Sequence, residues 1–268
     1  MIIRYWSDFS CPFCYIAEAR LKRVLKEMGA EDAARLDFRS FRLNPYAKQV
    51  PEHQIFLSYA KRMGEEGARM QIARIESMAA GEGLDFHYGT AWNSSTMDAH
   101  RLTKAAYAES RSLGDAVAEG LYEAFFSRNL VLADHGVLSA VAEAAGMDAS
   151  RAAEVLAGDE YRGDVLEDEA EAHGYGVQAV PFFVVNGRYG IPGCVDVSDF
   201  RRILEAALRD EDAEDSTGMA CGPDGCRRRP LRVFILRFDG GLHAEDNDRQ
   251  GQRGLRGGRR YIGVRIHR

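Results

Sequence analysis

The sequence contains few cysteines, few lysines and no long apolar segment. Five cysteines among 268 residues are too few for a fold held together by disulfides. Five of the 35 basic residues are Lys and the others are Arg, a bias that says little about function. No stretch approaches the roughly 18 consecutive apolar residues of a membrane span. Glycine-rich phosphate loops, catalytic triads and HExxH zinc motifs are also missing, so the sequence excludes these classes of site.

The overall composition is that of a globular protein, with 46% hydrophobic and 28% charged residues, enough to build a sizeable core. The first residues, "MIIRYW", run directly into a strand-like segment and leave no room for a signal peptide. The sequence therefore predicts a protein of the bacterial or organellar cytoplasm, with the cytoplasm favoured.

Charge is distributed unevenly along the chain. Residues 1–226 carry a net charge of −14, whereas residues 227–268 carry +8. An acidic body argues against nucleic-acid binding by the folded part. The tail contains "RGLRGGRR" (Arg253–Arg260), which suggests RNA binding only weakly because the segment is so short. Its Arg- and Gly-rich composition is typical of disordered segments, although Arg232–Phe238 has the composition of a strand.

The first 43 residues follow a β–α–β pattern. Ile2–Trp6 is β-branched and aromatic and predicts a strand. Pro12 then stands where a helix often begins, apolar residues recur at helical spacing, and Gly29 marks the end. Arg35–Leu43 alternates polar and apolar residues and predicts a second strand.

The pattern becomes helical between residues 44 and 158. Predicted helices are Pro51–Met63, Glu65–Gly81, Thr96–Glu109, Leu113–Ser127, Gly136–Ala145 and Ala149–Leu156. Ser95 and Asp98 have the spacing of a capping box, and Gly146 stands where a helix C-terminal glycine belongs.

The β/α pattern then resumes. It comprises a helix (Asp159–His173), a strand (Phe182–Val185), a hairpin turn at Asn186-Gly187, a second strand (Arg188–Ile191) and a closing helix (Asp199–Leu208). The acidic run Asp210–Asp215 is predicted to be a linker. We therefore predict an α/β domain formed by residues 1–43 and 159–210. Residues 44–158 form an inserted helical domain, and residues 211–268 a C-terminal extension.

The most informative motif is Cys11-Pro12-Phe13-Cys14, at the junction of the first strand and the first helix. Cys11 is predicted at the helix N-cap and Cys14 one turn further along, where unpaired N–H groups and the helix dipole stabilise a thiolate. Cysteines in such motifs have pKa values of about 3.5–7.5 instead of about 8.5. Cys11 is thus the predicted nucleophile, and Cys14 is predicted to resolve the mixed disulfide. Pro12 fixes the entry angle of the helix.

A zinc site is the alternative for this motif, but zinc usually needs four ligands. The only other close cysteine pair, Cys221 and Cys226, lies over 200 residues away. We therefore favour a redox-active pair and predict no metal.

A thioredoxin-type site also needs a proline facing the cysteines from the start of a later strand. Val180-Pro181 precedes the strand Phe182–Val185. A cis bond here leaves the backbone of Val180 able to pair with an extended substrate and places Pro181 against Cys11. The alternative is an ordinary trans proline at the start of an edge strand; we favour the cis form.

Three segments, "YWSDFSCPFCYI", "NSSTMDAHRL" and "VPFFVVNGRYGIPG", resemble the DsbA-type thiol–disulfide oxidoreductases of the cytoplasmic FrnE-like branch. The similarity covers about residues 1–210. It implies a thioredoxin fold interrupted by a helical domain, with Cys11, Cys14 and Pro181 at the active-site positions. It also implies that "CGPDGC" (Cys221–Cys226) is a second, regulatory or relaying, dithiol.

The sequence departs from the family pattern at two positions. The dipeptide between the two cysteines is Pro-Phe and not the Pro-His of strongly oxidising members. We therefore expect the cysteine pair to be less oxidising than in those members. Cys194 in "GIPGC" is unusual for the family, and we expect it to be a small buried residue and not a redox thiol.

Two alternative functions remain open. A sister group of the same superfamily, the 2-hydroxychromene-2-carboxylate isomerases and kappa-class glutathione transferases, uses Ser in place of the first cysteine to activate glutathione. The other alternative is a non-catalytic zinc- or peptide-binding protein.

His100 either lines the groove or is hydrogen-bonded between helices, the latter being favoured. Trp6 and Tyr122 are expected in the core.

The favoured hypothesis is an enzyme that exchanges disulfides with protein or small-thiol substrates. It needs no cofactor beyond a redox partner such as glutathione or thioredoxin, and it binds no membrane. Because the cytosol is reducing, reduction, isomerisation or protection against oxidative stress is expected more than bulk oxidation.

Overall fold

The computed structural model describes residues 1–51, 53–217 and 232–233. The strands and α-helices are β1 (Ile2–Ser7), α1 (Pro12–Glu27), β2 (Arg35–Ser40), α2 (Ile55–Ala80), α3 (Met97–Glu109), α4 (Arg111–Phe126), α5 (His135–Ala145), α6 (Ala149–Ala157), α7 (Arg162–Gly174), β3 (Phe182–Val185), β4 (Tyr189–Pro192), α8 (Val197–Thr217) and β5 (Arg232–Val233). None of the helices in these ranges is both long and apolar enough to cross a membrane.

The strands form one mixed sheet in the order β2-β1-β3-β4-β5. β1 runs parallel to β2, as a β–α–β unit requires, and antiparallel to β3. β3 and β4 form a hairpin. Its turn residues Asn186 and Gly187 have φ angles of 52° and 66°, as the favoured two-residue hairpin turn requires. The α/β fold with a large helical insertion is therefore confirmed.

The insertion, α2 to α6, differs from the prediction at two points. Two predicted helices are joined as α2 across Gly64, whose φ of 77° makes a non-helical kink that glycine tolerates. The predicted capping box of Ser95 and Asp98 at the start of α3 is wrong. Thr96 is the N-cap residue, and its side chain forms no capping hydrogen bond. Asp98 instead pairs with Arg101 at 2.8 Å and with His135 at 2.9 Å.

The closing helix α8 continues to Thr217 and does not end at Leu208, so the predicted linker Asp210–Asp215 is wrong. Phe200, Ile203, Leu204 and Ala207 bury one face of α8, and a helix anchored in this way extends at one hydrogen bond per added residue. Of the predicted strand Arg232–Phe238, the structure describes β5, which pairs with β4. Cys221, Cys226 and most of the Arg-rich tail lie outside the described residues.

The two faces of the sheet pack against different helices. Ile3, Tyr5 and Phe38 belong to a large hydrophobic cluster that continues into the helical insertion. Trp6 faces the other side, is fully buried, and donates its Nε1–H to the Asp168 backbone oxygen of α7 at 2.9 Å. Trp6 and Tyr122 are thus core residues, as predicted. The end of β1 is enclosed from both sides.

Close packing within the insertion can be tested at Gly114 of α4. A Cβ atom added there would overlap Cδ1 of Tyr107 in α3, so the ring would have to move. We expect Gly114→Ala to lower the free energy of unfolding by about 1–3 kcal/mol, as overpacking usually does. The matched control is Gly163→Ala in α7, where nothing lies within 4 Å and a gain of up to about 1 kcal/mol is expected. Urea unfolding measures both changes, and equal effects contradict the packing described.

Candidate active site

The Cys-Pro-Phe-Cys motif lies where the sequence places it, at the start of α1. Cys11 is the N-cap residue, with φ −89° and ψ 112°, and Pro12 is the first helical residue. Cys11 N donates to Asp8 O at 3.0 Å, and Cys14 N donates to Cys11 O at 3.1 Å. These bonds fix the loop after β1 and orient the first turn. The positive end of the helix dipole therefore lies beside the Cys11 sulfur.

Both active-site cysteines are free thiols, 3% and 1% exposed. Pro12 is also buried and Phe13 is half-buried. Burial, followed by the hydrogen bond and charge of Cys11, raises the pKa of Cys14 well above the ordinary value of a thiol. A hydrogen bond from the Ser7 side chain and another from the Asp8 backbone act in the opposite direction. Cys14 is therefore a protonated, enclosed thiol in the reduced protein.

Val180 contacts Cys11 although 169 positions of sequence separate them. The Val180–Pro181 peptide bond is cis, and Pro181 directly precedes β3. The Cys11 thiol donates to the Val180 carbonyl oxygen at 3.6 Å. Cys11, Cys14 and Val180 share one small hydrophobic cluster. Of the four groove residues predicted from sequence, Val180 belongs to that cluster and Phe13 packs against it. Pro12 and Pro181 directly follow Cys11 and Val180 in the chain.

Asp8 organises the loop in front of Cys11. Its carboxylate is 1% exposed and accepts the backbone N–H of Ser10 at 3.2 Å and of Leu43 at 2.6 Å. Burial alone raises the pKa of Asp8, but the interaction with His100 and these two N–H groups outweigh it and lower the pKa below its usual value. A carboxylate that accepts several N–H bonds behaves in this way. Sequence reasoning missed Asp8.

His100 is fully buried, and its Nε2 lies 3.6 Å from Oδ1 of Asp8. The ring packs on Phe9 at 4.8 Å between centroids. The predicted hydrogen bond between helices is therefore wrong, because the contact of His100 is to the loop of the active site. His100 therefore packs against the buried side of that loop and does not line an open groove.

Tyr122 and Ser7 were also missed as site residues. The Tyr122 hydroxyl, from α4, lies 2.5 Å from the Ser7 hydroxyl at the end of β1. Burial and then the charges of Glu18 and Cys14 raise the pKa of Tyr122, so it keeps its proton. The sequence does contain one indication of this contact. Tyr122 lies among the phenylalanines of α4, and a buried tyrosine hydroxyl usually has a hydrogen-bond partner.

Cys194 is partly buried and contacts Arg20, whose Nη1 lies 3.5 Å from the sulfur. Burial raises the pKa of Cys194 to about 11. Cys194 is thus less fully buried than the sequence predicts, and the absence of a redox role stays a prediction. The second predicted pair, Cys221 and Cys226, lies outside the described residues. Within the described ranges, no group of three or more His, Cys, Asp or Glu side chains is arranged to hold a metal.

Comparison with known proteins places this geometry in a family. The family described as "DSBA-like thioredoxin domain" matches residues 2–205. A structure described as a probable DsbA oxidoreductase, SCO1869 from Streptomyces coelicolor, is 30% identical, with a TM-score of 0.76, over 86% of this chain and 100% of that one.

Two further structures are similar in fold. One is a 2-hydroxychromene-2-carboxylate isomerase, 15% identical with a TM-score of 0.58 over 82% of this chain and 100% of that one. The other is the cytosolic disulfide reductase DsbM from Pseudomonas aeruginosa with GSH, 18% identical with a TM-score of 0.54 over 78% and 100%. Because the family match spans well over half of the chain, this protein belongs to the DSBA-like thioredoxin domain family.

Proposed function

We propose that this protein is a thiol–disulfide oxidoreductase with Cys11 as the attacking and Cys14 as the resolving residue. The observation that carries the proposal is the position of the Cys11 sulfur, at the N-cap of α1 and 3.6 Å from the Val180 carbonyl oxygen. The family supports thiol–disulfide chemistry in general terms. The roles of individual residues rest on their geometry.

The reaction follows from the different surroundings of the two sulfurs. The Cys11 thiolate attacks one sulfur of a substrate disulfide, and the other sulfur leaves as a thiol after taking up a proton. Cys14 then attacks Cys11, the bond to the remaining substrate sulfur breaks, and a second thiol is released. The protein ends with a Cys11–Cys14 disulfide and the substrate is reduced. Reversing these steps oxidises a substrate dithiol.

Pro12, Phe13, Val180 and Pro181 form the groove in this proposal. Phe13 is half-buried and offers an apolar surface beside Cys11. Protein disulfides and small thiols are the proposed substrates, and glutathione or thioredoxin supplies electrons without a further cofactor. A fold shared with a cytosolic disulfide reductase bound to GSH is compatible with reduction or isomerisation in the cytoplasm. Protection against oxidative stress is the proposed setting.

The sequence resemblance supports a further part of the proposal, a regulatory dithiol formed by Cys221 and Cys226. The isomerase or glutathione-transferase alternative is not favoured, because Cys11 stands where that sister group carries Ser. Zinc binding remains the weaker alternative for the cysteine pairs. Nucleic-acid binding is not proposed for the acidic folded part.

The cysteine roles can be separated with single variants. We expect Cys11→Ser to reduce insulin reduction by glutathione to the background rate, because no other thiol occupies the N-cap of α1. We expect Cys14→Ser to accumulate a mixed disulfide at Cys11, visible by mass spectrometry as one glutathione per chain. Cys194→Ala is the matched control and keeps full activity. Full activity of Cys11→Ser is the result that refutes the proposed function.

The identity of residue 13 sets the redox potential in this proposal. We expect Phe13→His to make the protein more oxidising, shifting its equilibrium with glutathione by about tenfold, because a protonated histidine stabilises the thiolate of the reduced form. The shift is larger at pH 6 than at pH 8, since a histidine near pKa 6.5 loses its charge between them. Phe13→Ala controls for loss of the ring. If the two variants have the same potential at pH 6, charge at this position has no role.

A further inference from the structure

Asp8 joins three segments of the protein in front of Cys11. Its carboxylate accepts the N–H of Ser10, in the active-site loop, at 3.2 Å and the N–H of Leu43, after β2, at 2.6 Å. Nε2 of His100, in α3, lies 3.6 Å from the same carboxylate. The backbone oxygen of Asp8 accepts the N–H of Cys11 at 3.0 Å. Only one hydrogen-bonded turn therefore separates Asp8 from Cys11.

The negative charge of Asp8 is enclosed in the protein. The carboxylate is 1% exposed. Although burial raises its pKa, the interaction with His100 and the two N–H groups lower the pKa below the usual value, so Asp8 is ionised. In the part of the chain that the structure describes, His100 is the one basic side chain close enough to pair with it. Because salt screens a buried charge much less than an exposed one, Asp8 interacts strongly with any other charge that forms nearby.

His100 is the partner that the helical insertion contributes to Asp8. It is fully buried, and its ring packs on Phe9 and Phe38 with centroids 4.8 and 6.1 Å away. Neither ring nitrogen has a hydrogen-bond partner among the described residues. A buried polar group without such a partner is destabilising and calls for a physical explanation. The carboxylate of Asp8 supplies one, since it compensates the buried imidazole electrostatically.

A second negative charge forms beside this pair when the active site is reduced. The reduced protein carries the reactive thiolate of Cys11, whereas the disulfide carries no charge. The N-terminal end of α1 attracts this thiolate, and the carboxylate of Asp8 repels it. A less stable thiolate makes the reduced protein less stable, and a protein with a less stable reduced form is a weaker oxidant.

We propose that the buried carboxylate of Asp8 makes the Cys11–Cys14 pair a weaker oxidant by repelling the Cys11 thiolate, and that His100 limits this repulsion. Asp8 and His100 are positioning residues, because they act on the reaction only through Cys11. The inference rests on the proposed function of the two cysteines. It gives the insertion, which carries His100 on α3, a part in setting the redox potential.

Equilibration with glutathione measures this effect. One reduced protein and one oxidised glutathione give the Cys11–Cys14 disulfide and two reduced glutathiones. Two protein sulfurs are oxidised, two glutathione sulfurs are reduced, and both thiol protons pass to glutathione, so atoms and electrons balance. The equilibrium constant is obtained at pH 7 with the full chain, by acid quench, alkylation of free thiols and mass spectrometry of the peptide that contains both cysteines.

We expect Asp8→Asn to shift this constant about tenfold towards the reduced protein, because the amide keeps an acceptor oxygen but loses the charge. Iodoacetamide should also alkylate Cys11 several-fold faster, since more of it is a thiolate. His100→Phe keeps a ring against Phe9 and should shift the constant about threefold towards the disulfide. In the Asp8→Asn background, His100→Phe should have no effect, because no carboxylate remains for it to act on.

Asp134→Asn is the matched control. The carboxylate of Asp134 also accepts two backbone N–H groups, from Gly136 at 2.7 Å and from Val137 at 3.4 Å. Asp134 is exposed at the start of α5, where water and salt screen its charge. The equilibrium constant of this variant should stay within about twofold of the wild-type value.

Thermal unfolding verifies that each variant is folded, and His100→Phe carries the test if Asp8→Asn does not fold. An unchanged constant in the folded variants, or a shift of Asp8→Asn towards the disulfide, overturns this inference and leaves the proposed function intact. An equal effect of His100→Phe with and without the carboxylate of Asp8 also overturns it. If the wild-type protein forms no Cys11–Cys14 disulfide with oxidised glutathione, the proposed function itself fails.

Discussion

The site depends on the antiparallel pairing of β1 with β3. In this register Trp6 lies opposite Phe182, so the end of β1 and the start of β3 emerge at the same edge of the sheet. The strand pairing alone therefore brings the loop that leads to Cys11 next to the Val180–Pro181 segment. A slip of one residue would turn the side chains of β3 to the opposite face. The burial of Tyr5 and Phe183 on one side and of Trp6 and Phe182 on the other opposes such a slip.

Helix α7 and the insertion hold this edge in place from opposite sides. Asp168 of α7 is 3% exposed; its backbone oxygen accepts Trp6 Nε1–H, and its carboxylate accepts the Ser40 N–H at 2.7 Å. On the other side, Tyr122 and His100 reach Ser7 and Asp8. The buried carboxylates of Asp8 and Asp168 near the C-terminal end of β1 thus accept backbone N–H groups, as a dry interior requires. The insertion consequently supports the active-site loop in addition to enlarging the protein.

Local features were predictable from the sequence, whereas contacts between distant segments were not. Cys11 at the N-cap, Pro12 at the first helical position and the turn at Asn186-Gly187 follow from backbone preferences within a few residues. The approach of Tyr122 to Ser7 depends on how α4 packs on the sheet. A buried tyrosine predicts that a hydrogen-bond partner exists, but not which residue it is. Likewise, the kink at Gly64 and the length of α8 depend on packing that outweighs local propensity.

In the proposed mechanism, the two sulfurs of the Cys-Pro-Phe-Cys motif have opposite tasks because their surroundings differ. Cys11 lies at the positive end of a helix and beside a strand start where an extended substrate can approach, which favours attack. Cys14 is enclosed, and burial keeps it protonated, so release of a bound substrate depends on the few donors around it. A mixed disulfide that resolves slowly gives a protein substrate time to rearrange its own cysteines, whereas rapid resolution favours simple reduction. In the proposed mechanism, the balance between isomerisation and reduction therefore depends on the surroundings of Cys14 and not on the residues that first bind the substrate.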